Sequence, residues 1–141
     1  MRNTRIQKSP LNVEGSSIIH RRVCFAHEEQ ILHALGISGI STAFYSWRTM
    51  GTASQSGAQV DLVIDRTDGV INLCEIKFTK DPFTVNADDE TNLETKIARL
   101  SEEIRTDKAI HLVLISSKGI KKNEDSSIFQ NIITLEDLFK P

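Results

Sequence analysis

The sequence has no apolar run near the ~20 residues that a bilayer-spanning helix needs, so a spanning helix is excluded. Only two of its 141 residues are cysteines and only 6% are aromatic. The rest of the composition is close to the globular average, which excludes collagen-like, disordered and disulfide-scaffold classes. Residues 1–14 are polar and lack the apolar segment of a secretory signal. We therefore expect a soluble, cytoplasmic protein.

The chain also lacks an excess of positive charge. Seventeen basic and nineteen acidic side chains give a formal net charge of −2. Proteins that bind nucleic acid are usually basic, because neutralising phosphates supplies much of their non-specific affinity. Any such affinity must come from a local patch here, and residues 1–22 offer one, with five basic side chains against Glu14 alone. The alternative interpretation of this patch is a solvated chain terminus.

Cysteine and histidine give no sign of a metal centre or a disulfide. Cys24 and Cys74 lie fifty residues apart in apolar segments, which indicates buried free thiols in a reducing compartment. The four histidines have no ligand spacing with each other or with cysteine. The sequence therefore does not predict a zinc site.

Periodicity predicts a leader at residues 1–16 and one domain at 17–141. Helical spacing before Gly36 predicts a first helix over residues 18–35. A stripe at Leu93, Ile97, Leu100 and Ile104 predicts a second helix after Pro82. Strands are predicted at 41–48, 58–66, 70–78, 109–116 and 128–133, and Thr134 could cap a final turn at 135–139. The order α-β-β-β-α-β-β indicates an α/β or α+β fold with a mixed sheet flanked by helices.

The spacing of the second and third strands gives their pairing. A three-residue loop at 67–69 that ends in glycine places Arg66 opposite Val70. Asp61 then lies opposite Glu75, and Gln59 opposite Lys77. Since directly opposed side chains share a face, these four project together. A two-residue loop is the alternative, and it would turn the two carboxylates to opposite faces.

Two opposed carboxylates suggest a cation between them. Their Cβ atoms would be ~5 Å apart, and like charges at that spacing destabilise a sheet. Oxygen ligands on adjacent strands suit Mg²⁺ or Mn²⁺, and Lys77 could stabilise charge on a phosphate. The alternative is a solvated sheet face with one weak salt bridge. Lys96 lies on the polar flank of the second helix, where it is either solvated or close to this site.

The segment GAQVDLVIDRTDGVINLCEIKF, residues 57–78, resembles the PD-(D/E)XK, or restriction-endonuclease-like, nuclease superfamily. It looks most like the nuclease-like domain at the C-terminal end of many prokaryotic ATP-binding proteins of the AAA class. The likeness covers residues 18–138 and includes HALGISGI, SWR and SSIFQNIITLEDLF. It implies a four-stranded mixed sheet flanked by helices. It also implies that Asp61 and Glu75 bind a metal and that Lys77 is catalytic. With Gln59 on the same predicted face as an auxiliary residue, we expect a nuclease that hydrolyses DNA with Mg²⁺ or Mn²⁺.

The sequence departs from that family in two ways. Relatives usually carry a glutamate in the first helix, and Arg21, after His20, occupies its position; Glu28, two helical turns on, is a poor substitute. No phosphate-binding Gly-x-x-x-x-Gly-Lys-Ser/Thr motif is present, so we expect a domain separated from its ATPase. Two interpretations stay open. One is a Mg²⁺-dependent nuclease, impaired by Arg21, and the other is an inactive module that docks to a partner ATPase or contacts DNA.

Overall fold

The computed structural model describes residues 11–55 and 57–140. The helices in this part of the chain are α1 (Leu11–Phe25), α2 (Glu28–Leu35), α3 (Ala87–Ile104) and α4 (Leu135–Leu138). The strands are β1 (Thr42–Thr49), β2 (Ala58–Arg66), β3 (Val70–Lys77), β4 (Ala109–Ser116) and β5 (Asn131–Thr134). None of the helices in these residues is long and apolar enough to span a membrane.

The strands form one mixed sheet in the order β1-β2-β3-β4-β5. β1, β2 and β3 pair antiparallel, whereas β4 is parallel to both β3 and β5. The parallel step from β3 to β4 needs a crossover, and α3 supplies it. The predicted α/β class with a mixed sheet is confirmed, although the sheet has five strands where the resemblance implies a core of four.

The β2–β3 hairpin has the pairing predicted from its loop. Leu62 lies opposite Cys74 and Asp65 opposite Ile71, which is the register of a three-residue loop. Gly69 has φ +92°, a left-handed conformation that glycine adopts without steric cost. The register excludes the two-residue alternative. The regular pairing ends at Leu62–Cys74, one residue before the predicted Asp61–Glu75 pair.

Each face of the sheet is covered by a different set of helices. One apolar cluster joins α1, α2 and α4 to the sheet through the buried residues Cys24, Ile31, Leu62, Cys74, Ile133 and Leu138. The other cluster joins α3 to the opposite face through Val60, Val63, Leu73, Leu93, Leu100 and Leu114. β4 contributes to both clusters, as expected of a strand covered on both faces.

The first predicted helix is wrong in its extent, because α1 and α2 are separate helices. The His27 ring donates its Nδ1–H to the Val23 carbonyl at 2.7 Å. This carbonyl would otherwise accept the His27 backbone N–H, which bonds to Cys24 O instead. Side-chain competition of this kind interrupts a helix. Gly36 ends α2 in the left-handed conformation, as predicted.

The predicted leader and the last elements also differ in their limits. Since α1 begins at Leu11, residues 11–16 are helical. Residues 1–10 lie outside the described residues, and they contain three of the five basic side chains of the predicted patch. β5 is shorter than predicted, because Ser126–Ile128 forms a 3-10 turn. Thr134 caps α4 as predicted, in a reciprocal pair of hydrogen bonds with Asp137.

Candidate functional site

A cleft of about 300 Å³ opens between the start of β2, the end of β3 and one side of α3. Its lining includes Gln59 from β2, Glu75 and Lys77 from β3, and Asp89 and Lys96 from α3. We call it the β3–α3 cleft. The predicted pairing of β2 with β3 places four side chains on one face, and three of them, Gln59, Glu75 and Lys77, line this cleft.

Glu75 lies at the buried end of this cleft. Its side chain is 7% exposed and accepts a hydrogen bond from Lys96 Nζ at 2.7 Å on Oε2. Burial raises the pKa of Glu75, and the neighbouring Lys96 ammonium opposes that rise. The two side chains form a salt bridge that links β3 to α3.

Lys77 extends into the same cleft two residues further along β3. Its ammonium lies 5.7 Å from the centre of the Phe83 ring, a cation–π distance. The charge of Lys77 also lowers the pKa of Glu75, although less than Lys96 does. Lys77 is therefore a second positive charge near the same buried carboxylate.

Asp61 is displaced by a β-bulge that the sequence did not predict. Tyr45 pairs with Val63 and Trp47 pairs with Val60, so Asp61 and Leu62 together face the single residue Ser46. Extra residues of this kind twist a strand and redirect a side chain. Consistent with this, Val60 and Val63 belong to the same apolar cluster, although simple alternation would place them on opposite faces.

The bulge brings Asp61 near both faces of the sheet. Its charge raises the pKa of Glu75, which lines the β3–α3 cleft. It also raises the pKa of Cys24, which belongs to the cluster on the opposite face. Asp61 is not among the residues that line the cleft and joins it through Gln59, whose Nε2–H donates to Asp61 Oδ1 at 3.3 Å. Gln59 is itself oriented by Arg48, which donates to its Oε1 at 2.9 Å.

The resemblance draws attention to three helical residues, His20, Arg21 and Glu28, and the structure places only the first two near the end of β3. The His20 ring lies 4.6 Å from the ring of Phe78, the residue after Lys77, so this turn of α1 approaches the end of β3. Arg21 follows directly on α1. Glu28 begins α2, so it does not lie two turns further along the helix of Arg21, where the sequence predicts it.

The oxygen donors present are compatible with Mg²⁺ or Mn²⁺, although they are few. No group of three or more His, Cys, Asp or Glu side chains suited to a metal occurs among residues 11–55 and 57–140. Mg²⁺ nevertheless keeps several waters and binds through one or two carboxylates. Glu75 lines the cleft and Asp61 is linked to it through Gln59, so these two carboxylates are the candidate ligands. The donor set therefore fits a weakly held, hydrated cation.

Lys96 is the contact that the sequence left undecided. It lies three residues after Leu93 and four before Leu100, both buried, and so flanks the apolar stripe of α3. That spacing was a usable signal for a side chain directed along the edge of the sheet interface. The spacing does not predict where α3 lies relative to β3, so it could not identify Glu75 as the partner of Lys96.

The two cysteines are buried and free, as predicted. Burial raises the pKa of the Cys24 thiol to about 12 and raises that of Cys74 as well. Neither thiol is therefore a reactive nucleophile near neutral pH. Both belong to the cluster that packs α1 against the sheet.

Comparison of the chain with protein-family models and with curated proteins finds no match. The fold class follows from the sheet and helices described above. The assignment of a function therefore depends on the residues of the β3–α3 cleft and their geometry.

Proposed function

We propose that this protein is a Mg²⁺-dependent nuclease that hydrolyses phosphodiester bonds in DNA, with its catalytic site at the β3–α3 cleft. The observation that carries the proposal is the β3–α3 cleft, which is lined by Glu75, by Lys77 two residues further along β3, and by Gln59, whose side chain donates to Asp61. The resemblance to PD-(D/E)XK nucleases assigns functions to Asp61, Glu75 and Lys77. Buried reduced thiols favour a cytoplasmic location.

Asp61 and Glu75 are the residues that would hold the cation. Mg²⁺, when bound, would supply a Lewis acid for the phosphate and lower the pKa of a coordinated water. Gln59 fixes the orientation of Asp61 through the 3.3 Å hydrogen bond and is the auxiliary residue. This hydrogen bond restricts the rotamers that the Asp61 carboxylate can adopt.

Lys77 is the residue that would meet the substrate. Its ammonium faces the aromatic ring of Phe83 and lies in the cleft near Glu75. In that position it can stabilise negative charge on a phosphate oxygen or orient a water molecule. Phe83, Leu93 and Phe129 provide an apolar part of the wall, which reduces competing water.

The experiment is a nicking assay on supercoiled plasmid DNA with Mg²⁺ or Mn²⁺. We expect cleavage by the wild type, and loss of at least about 100-fold in Lys77→Met, the scale of one electrostatic donor. Lys118→Met removes the same charge from an exposed loop and should retain activity. Cleavage that survives in both variants would contradict the assignment.

A second candidate function is an inactive nuclease-fold module that contacts DNA or docks to a partner ATPase. Two observations favour it. The Glu75 carboxylate already has a counter-charge in Lys96. Arg21 occupies the position at which the family that the sequence resembles has a glutamate. Under this alternative the protein would retain DNA or ATPase binding in EDTA and show no metal-dependent nicking.

A further inference from the structure

The salt bridge between Lys96 and Glu75 occupies the side of the carboxylate that faces the β3–α3 cleft. Lys96 Nζ lies 2.7 Å from Glu75 Oε2, and both residues line the cavity. A cation that uses Oε2 must approach the space that the ammonium holds. Two positive charges at that separation from each other would repel strongly in a partly buried site.

The two partners differ in their access to water. The Glu75 side chain is 7% exposed and the Lys96 side chain is 23% exposed. Lys96 also has a flexible four-carbon stem that can carry its charge along an apolar wall toward solvent. Lys96 is therefore the partner able to move, whereas Glu75 is fixed in the sheet next to α3.

The charges of the cleft change when the ammonium leaves Glu75. Without a bound cation, Lys96 and Glu75 neutralise one another. The cleft contains a second lysine, Lys77, which has no carboxylate within salt-bridge distance among the described residues. A divalent cation on Glu75 would release Lys96 into a cavity that already contains Lys77. Two ammonium groups beside a cation form a site for a phosphate group.

We propose that Lys96 is an internal counter-cation of the site: a divalent cation displaces it from Glu75, and the displaced ammonium then binds the substrate phosphate. This inference rests on the proposed function, because it takes Glu75 as a metal ligand. It adds that the metal-free protein binds phosphate poorly and that the two ligands assist each other. The exchange also means that the buried Glu75 carboxylate has a positive partner in both states, either Lys96 or the cation.

The first test measures Mn²⁺ binding by calorimetry in three proteins. Lys96→Gln removes the competing charge, so Mn²⁺ should bind at least about tenfold more tightly than in the wild type, the scale of one charge-assisted hydrogen bond. Lys122→Gln removes the same charge from an exposed position and should change the affinity less than about twofold. Lys96→Arg keeps the charge and can bind the carboxylate with two N–H groups, so Mn²⁺ should bind more weakly than in the wild type.

Lys96→Arg keeps the test decisive if Lys96→Gln does not fold, since it preserves a cation beside Glu75. The expected order of Mn²⁺ affinity is then wild type above Lys96→Arg. Equal affinity in the wild type, Lys96→Gln and Lys96→Arg would overturn this inference and leave the metal site itself intact. Absence of Mn²⁺ binding in every protein would overturn the inference and the proposed function together.

The second test uses thymidine 5′-monophosphate as the phosphate probe. In the wild type, a saturating amount of the nucleotide should tighten Mn²⁺ binding several-fold. In Lys96→Gln the same addition should have a smaller effect, because only direct contact between Mn²⁺ and the nucleotide remains. An equal gain in both proteins would show that the displaced ammonium does not bind the phosphate.

Discussion

Replacing Lys96 by methionine should destabilise the metal-free protein more than replacing Glu75 by glutamine. Removing one partner of a buried ion pair costs roughly 3–5 kcal/mol, because the other charge remains buried. The Glu75 side chain is 7% exposed and is fixed in the sheet, so Lys96→Met leaves a largely buried carboxylate without its salt-bridge partner. We expect a loss of about 3 kcal/mol at pH 7, a large part of the stability of a domain of this size.

Glu75→Gln should cost less, about 1 kcal/mol, because the side chain that loses its partner is Lys96. The Lys96 side chain is 23% exposed, and its ammonium can turn to solvent. The double variant Lys96→Met/Glu75→Gln should be more stable than Lys96→Met alone, since it leaves no buried charge. The comparison of these three variants separates the cost of a stranded charge from the loss of packing.

The pH dependence gives the same prediction an independent check. The pKa of Glu75 lies above its ordinary value because of burial, and Lys96 opposes the rise, so Lys96→Met should raise it further. An acid with a raised pKa in the folded state contributes most to stability below the unfolded pKa, and this contribution is lost as the pH rises through the folded pKa. The deficit of Lys96→Met should therefore shrink as the pH falls from 7 toward 5.

Urea unfolding in EDTA, followed by the fluorescence of the single tryptophan, measures these differences. Trp47 is suitable because it packs against the apolar cluster under α3. A Lys96→Met variant that loses less than about 1 kcal/mol would refute the reasoning, since the salt bridge would then matter no more than a surface pair. An equal deficit at pH 7 and pH 5 would also refute it.

Three further predictions concern the fold. Cys24, with a pKa of about 12, and Cys74 should not react with a thiol reagent at pH 8 until the protein unfolds; fast native-state labelling would contradict their burial. Gly69→Ala should cost about 1 kcal/mol or more in urea unfolding, because alanine is strained at φ +92°; a neutral effect would contradict the turn. Thr134→Ala should cost about 1 kcal/mol. The hydrogen bond from the Thr134 backbone lowers the pKa of Asp137. The stabilisation by Asp137 is therefore present above its ordinary pKa and is lost as the pH falls through the folded value, which an acid titration of the free energy of unfolding would test.

The parts of the fold that the sequence predicted well depend on local chemistry. The β2–β3 register follows from the length of a loop that ends in Gly69, because the turn type determines which residues face each other. The stripe of leucine and isoleucine predicts α3, and Thr134 predicts the start of α4. In each case a few neighbouring residues contain the whole signal.

The parts that the sequence did not predict depend on contacts between distant residues or on competition for one group. The bulge at Asp61 arises from the pairing of β2 with β1, whose register no turn residue specifies. The interruption between α1 and α2 arises from the His27 ring taking a backbone carbonyl. Lys96 reaches Glu75 only because α3 lies across that end of β3, which helix periodicity alone does not determine.

The proposed function requires that Asp61 and Glu75 together hold a divalent cation. The most direct test is calorimetric titration of Mn²⁺ into the wild type and into Asp61→Asn/Glu75→Gln. The control Asp88→Asn/Glu94→Gln removes the same charge from exposed positions on α3. We predict binding by the wild type and the control that is lost in Asp61→Asn/Glu75→Gln. Binding that persists in that variant, or that is absent from the wild type at millimolar Mn²⁺, would contradict the proposed function.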